Sequence, residues 1–205
     1  MASKRMGWVL GALLSGVLGA ALVGCGSDGG GLVLVADAEF DPATASDHNI
    51  GVSESMPGVA QTFTVLSTGK FERFWLVVTD GESPDDGTIR ITVRPLVAGL
   101  PDPNPATSII RPIDVDTTML PATLVEQFSI FDVGDDPGRE VVAGEQYALV
   151  IEFLSRTGVD TAPIARVLGQ LGDPYADGTG AADAGAGYVA NTNDYLFRTF
   201  VLQSN

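Results

Sequence analysis

The sequence predicts an all-β domain, a single antiparallel β-sandwich. Three observations carry that expectation. Short runs of alternating apolar and polar residues recur beyond position 60, the period-two pattern of strands with one buried face. Turn-forming residues separate the runs at Asp80-Gly81, Asp86-Gly87, Pro101 to Pro105, Gly134 to Gly138 and Asp173-Pro174. No segment after the first 31 residues carries the apolar stripe of a long helix, and Pro121 limits Thr117 to Glu126 to one helical turn. Short strands with such punctuation build sandwiches.

The chain opens on a different kind of segment. Lys4 and Arg5 precede Gly7 to Val23, which carries no charge, and Ala20, Ala21 and Gly24 are small. Residues 1–24 thus have the three parts of an export signal. The apolar run is shorter than the roughly 20 residues of a spanning helix, and its glycines weaken it as a helix. An uncleaved anchor is the alternative. Leu22-Val23-Gly24-Cys25 resembles the lipobox of bacterial lipoproteins. That resemblance implies cleavage before Cys25, a diacylglyceryl group on its thiol, and acylation of the new amine, with palmitate a typical chain. Gly26 follows where an aspartate would favour inner-membrane retention, so the resemblance implies the outer membrane. Residues 26–31, Gly-Ser-Asp-Gly-Gly-Gly, then read as a flexible tether, and residues 32–205 as one domain.

The strands follow in order. Gln61 to Val65 alternates. Phe71 to Val78 is almost wholly apolar, with Trp75 in its middle, and reads as a central strand that places Trp75 in the core. In Thr88 to Arg94, Ile89, Ile91 and Val93 face inward while Thr88, Arg90, Thr92 and Arg94 face outward. Phe128 and Ile130 continue the theme. Tyr147 to Phe153 is a second core strand, entered through the turn at Ala143-Gly144-Glu145. Gly178 to Gly187 is rich in glycine and alanine and reads as a loop. Tyr195 to Leu202 puts Phe197 and Thr199 on one face and Arg198 and Phe200 on the other.

Several of these features recur together in one known setting. They are Ala60 to Val65, the strand after it, Gly99-Leu100-Pro101, Gly144 to Val150, Asp173-Pro174-Tyr175 up to Gly178, and the closing Asp194 to Val201. Taken in order they resemble the bacterial cell-surface β-sandwich modules of the choice-of-anchor kind, over most of residues 59–201. The resemblance implies a jelly-roll-like sandwich displayed outside the cell and no established catalytic activity. Val167-Leu168-Gly169 stands where similar modules tend to carry an aromatic residue.

Charge narrows the functional classes. The whole chain carries −15; cleavage before Cys25 removes two basic residues and no acid, leaving nine basic against 26 acidic residues and a charge of −17. Such a surface repels nucleic-acid phosphates and anionic membranes, so lipid must do the holding. With Cys25, the only cysteine, given to lipid, disulfide and thiol chemistry drop out.

His48 is the only histidine. A zinc site of the usual nitrogen and sulfur ligands and a Ser–His–Asp triad both lack support, and His48 reads as a solvated loop residue. Calcium is the metal that the loop acids suit: Asp173, Asp177, Asn193 and Asp194 lie in two loops that a sandwich can bring together, and Asp80, Glu82, Asp85 and Asp86 form a second acidic loop. The bland reading is that these acids make turns. Tyr175 and Tyr188, in or beside the glycine-rich segment, are the candidate sugar-stacking rings, or else they seal the ends of the sandwich. The expectation is a lipid-anchored cell-envelope domain with a non-catalytic binding or structural role, whose partners are the membrane and a glycan or envelope protein. A carbohydrate-binding module is the second reading and a glycan-active hydrolase the third.

Overall fold

The computed structural model describes residues 31–40, 48–81, 83–122, 129–133, 140–172 and 175–204. The export signal, the lipobox, Asp173, Phe128 and Glu82 lie outside them. The strands are β1 (Leu32–Phe40), β2 (His48–Val52), β3 (Gly58–Thr64), β4 (Gly69–Leu76), β5 (Val78–Asp80), β6 (Gly87–Val97), β7 (Leu100–Pro101), β8 (Ile113–Asp116), β9 (Ser129–Asp132), β10 (Glu140–Val141), β11 (Gln146–Arg156), β12 (Ala165–Leu171), β13 (Gly180–Asp183), β14 (Tyr188–Ala190), β15 (Asn193–Tyr195) and β16 (Phe197–Ser204). Two single 3-10 turns, Pro105–Thr107 and Thr117–Met119, are the only helical pieces among the described residues, and each starts at an Asn or Asp side chain that accepts a backbone N–H. The fold is all-β and sandwich-like, with every strand pair antiparallel.

The first sheet has the order β1-β16-β4-β10, with β9 also on β4. The second runs β14-β13-β3-β11-β6-β7, with β8 also on β6. The third, β15-β12-β2 with β5 also on β12, closes one side. The core lies between them. Phe71, Phe74 and Leu76 of β4 and Phe197 and Val201 of β16 meet Val59 and Phe63 of β3, Ile89, Ile91 and Val93 of β6, and Leu149 and Ile151 of β11. The third sheet adds Val52, Val78, Ala165, Val167 and Tyr195. Phe63 sits centrally, its ring 5.8 Å from Phe197 and 6.3 Å from both Phe71 and Tyr147. Burial of this kind contributes about 1.5–3 kcal/mol per large apolar side chain.

The second sheet curls until its two ends, β14 and β7, approach each other. Its outer face thereby encloses a small second core of Ala60, Ala148, Val150 and Ala181, sealed by Leu96, Leu100 and Tyr188. Alternation therefore assigns the faces of β6 correctly, but the outer face is not solvated: Thr92 and Arg94 are fully buried there. Two loop readings are also corrected. His48 opens β2, and the glycine-rich segment contains β13, which adds to the edge of β3. The small residues are required: a Cβ on Gly180 would meet the Asn193 carbonyl oxygen, and one on Gly178 the Thr62 carbonyl oxygen.

Candidate functional site

The largest departure from the sequence reading concerns Trp75. The register of β4 against β16 slips between Phe200 and Val201, where Glu72 and Arg73 form a bulge. Phe71 and Phe74 therefore both face the core although three positions apart, and Trp75 turns to the outer face, half-buried. The signal was present as the polar pair Glu72-Arg73, which breaks an otherwise apolar run.

Strand pairing builds a platform around it in three rows. Glu39, Arg198, Trp75 and Ile130 lie side by side across β1, β16, β4 and β9. Ala36, Phe200, Arg73 and Asp132 form the next row. Leu34, Leu202, Lys70 and Glu140 form the third, across β1, β16, β4 and β10. Phe200 leans on Trp75 with ring centroids 4.7 Å apart, and the Arg198 guanidinium lies 5.0 Å from the Trp75 ring centre. Ion pairs rim the aromatics: Arg198 with Glu39 at 2.5 Å, and Arg73 with Asp132. Three of the nine basic residues beyond Cys25 stand on this one face, with the carboxylates of Glu39, Asp132 and Glu140 in the rows and Glu72 in the bulge. The result is a surface of nearly balanced charge in a strongly acidic chain. Its apolar centre can take the C–H face of a ring, and guanidinium donors and carboxylate acceptors beside it can take paired hydroxyls.

The residues singled out from sequence lie elsewhere. Asp194 is buried on β15, where Gln61 Nε2 donates to Oδ1 at 3.0 Å and the Tyr175 backbone N–H to Oδ2 at 2.7 Å. Gln61 Oε1 in turn accepts from the Tyr195 backbone N–H at 2.7 Å. Asp194 therefore joins β3, β15 and the Tyr175 segment as a structural acceptor. Asn193 is its half-buried neighbour, with its N–H bonded to Asn191 Oδ1 at 2.9 Å. Asp177 is exposed, and its backbone carbonyl accepts from the Thr64 hydroxyl at 3.1 Å. Among the described residues no group of three or more His, Cys, Asp or Glu is placed to hold a metal ion, and Asp173 lies outside them. In the other acidic loop, Asp85 accepts the Asp160 N–H at 2.7 Å and Asp80 the Gly81 N–H at 2.8 Å.

Both tyrosines are packed rather than presented. The Tyr175 ring meets Phe197 edge-on at 5.2 Å and Phe40 at 6.0 Å, and burial pushes its hydroxyl up to about 12, with Asp177 adding to the effect. Tyr188 reaches from the β13–β14 hairpin across Gly58 to donate to Glu152 Oε1 at 3.3 Å, and burial raises its pKa further, with the Glu152 charge adding to it. The hairpin turn is held by Asp183, which accepts the N–H groups of Gly185 and Gly187 at 2.7 and 2.9 Å. Glu152 also pairs with Arg94, whose Nε donates to Thr92 Oγ1 at 2.9 Å. Arg94, Glu152 and Tyr188 thus close the small second core.

The sequence matches no protein-family model and no curated protein.

Proposed function

We propose that this chain is a cell-envelope domain, lipid-anchored through Cys25 and favouring the outer membrane, with a non-catalytic binding or structural role. The observation that carries the anchor is Leu22-Val23-Gly24-Cys25 at the end of an uncharged run behind Lys4 and Arg5, followed by a glycine-rich tether. The non-catalytic reading is supported by how the acids are used: Asp194, Glu152, Asp85 and Asp183 accept hydrogen bonds that hold the fold together. Metabolic labelling with an alkyne fatty acid tests the anchor. Wild-type chain should take up label and stay with membranes, and Cys25→Ser should do neither. Label on the Cys25→Ser chain would refute the assignment.

A second reading, a carbohydrate-binding module, is favoured by the outward turn of Trp75 beside Phe200 and Arg198. Neutral saccharides fit that face better than charged ones, because its cations and carboxylates nearly balance. Trp75 is the only tryptophan after Cys25, so its fluorescence reports directly on the face. A glycan array on wild-type and Trp75→Ala protein tests the reading; hits that survive the substitution would rule out this platform.

A further inference from the structure

We infer that the end of the sandwich where β1 begins is seated on the bilayer that holds the anchor. The inference rests on the assignment of Cys25 as the lipidated residue. Seven peptide units separate Cys25 from Leu32. They reach at most about 25 Å. The start of β1 is therefore always close to the lipid headgroups.

That end exposes apolar side chains, as the opposite end does at Val159, and it is the tether that brings this one to the lipid. Leu32 is 66% exposed, Leu66 61% and Val142 48%. Register brings Leu32 and Val142 to one end, with Leu66 set back where Asp37 accepts its backbone N–H at 3.1 Å: Leu34 lies opposite Leu202, Leu202 opposite Lys70, and Lys70 opposite Glu140. The start of β1, the end of β16, the start of β4 and the end of β10 are thus neighbours. Leu66 and Val142 sit in two loops joined there, with Gly144 N–H donating to the Val65 carbonyl at 2.7 Å and Ala143 N–H to Thr68 Oγ1 at 3.1 Å. Single exposed apolar side chains are ordinary, but several at the anchored end of an acidic domain share an occupant within reach of the tether. Glu140 and Glu145 stand at the same end, so the bilayer surface that suits it is an uncharged one.

The test uses full-length lipidated protein in phosphatidylcholine vesicles. Cys25 is the only cysteine and is blocked by lipid, so an introduced cysteine takes a fluorophore at one place. Val142→Cys reports on the anchored end. Val159→Cys reports on the opposite end, because the two positions flank the 11 residues of β11, a span of about 36 Å. Brominated acyl chains should quench the label at 142 severalfold more than the label at 159. Adding Leu32→Ser and Leu66→Ser should reduce quenching at 142 severalfold. Equal quenching at both ends, or quenching indifferent to the serine pair, overturns the seating. A blue-shifted label at 142 that brominated lipid does not quench means a second copy covers this end, and also overturns it. Flotation with the vesicles is read separately. Protein that floats without quenching at 142 refutes the seating alone, whereas protein that fails to float refutes the anchor and the seating together.

Discussion

Arg94 offers the sharpest test of how the second sheet is held closed. Its side chain is fully buried and its partner Glu152 is 26% exposed. Besides Glu152, the guanidinium donates to Thr92 Oγ1 at 2.9 Å and to the Asp102 carbonyl at 3.4 Å. Glu152→Gln leaves a buried cation without its counter-charge and weakens the acceptor of Tyr188. Breaking a fully buried pair costs about 3–5 kcal/mol, and because water reaches part of Glu152 the expected loss is about 2–4 kcal/mol. Arg94→Met removes the charge together with its need for a partner and keeps most of the volume, so it should fall within about 1 kcal/mol of wild type. The double variant should recover much of what Glu152→Gln loses, a coupling of about 1–3 kcal/mol. Urea unfolding followed through Trp75 fluorescence measures all four proteins, with the slope checked for constancy. Two outcomes would refute the reasoning. Glu152→Gln within about 0.5 kcal/mol of wild type would mean that the guanidinium is solvated after all. Arg94→Met as damaging as Glu152→Gln would mean that Thr92 and Asp102, not charge pairing, hold the closure.

Other outcomes follow from the same geometry. Asp194→Ala should cost about 2–4 kcal/mol in urea unfolding, since it strands the buried Gln61 amide and the Tyr175 N–H; a loss under about 1 kcal/mol would place water there. Gly180→Ala should cost more than about 2 kcal/mol, because the added methyl meets the rigid Asn193 carbonyl; a neutral result would show that β13 can shift. Tyr175 is held up to about 12 by burial, so its contribution to stability is whole below pH 10 and lost as pH rises through about 12. The unfolded chain releases that proton first, so stability falls with pH at up to about 1.4 kcal/mol per unit, and Tyr188 and Tyr195, also raised by burial, act in the same direction. A urea midpoint that stays flat through that window contradicts the packing described for these rings.

The strand pattern was legible where one face of a strand is dry and the other wet. Residues Ile89, Ile91 and Val93 of β6 and Phe197 and Thr199 of β16 face the core as alternation requires. It was less legible where strands are short or small-sided. The strand β13 read as loop because glycine and alanine have poor strand preference, and only the close approach of β3 explains why they are needed. The near-continuous run Tyr147 to Ile151 did carry a further signal. A strand apolar on both faces is buried on both, which implies a second layer outside β11. That layer is what buries Arg94.

The candidate site was less legible than the fold, and the reason is the same at each residue. Alternation tells which way a side chain points, but not what lies beyond it. Arg94 points away from the main core, yet the curled sheet encloses it. Tyr188 lies at a surface hairpin, yet folds back over Gly58. Asp194 sits among turn-forming residues, yet its carboxylate is occupied by Gln61 and Tyr175 from distant parts of the chain. Each of these contacts joins residues far apart in sequence, which no local pattern encodes. Trp75 fails in the opposite direction. An apolar run containing a tryptophan argues for burial, but one extra residue in β4 reverses every side chain after it. The pair Glu72-Arg73 is where that residue sits, and Phe74 is brought back to the core only because Trp75 is turned out. A variant that deletes Glu72 would restore strict alternation with the faces unchanged, Phe71, Phe74 and Leu76 inward and Arg73 and Trp75 outward, so Trp75 fluorescence should stay that of a half-exposed ring. The bulge thus takes up Glu72 as the extra residue, and the aromatic platform rests on the pairing of Trp75 with Arg198 and of Arg73 with Phe200 beside it.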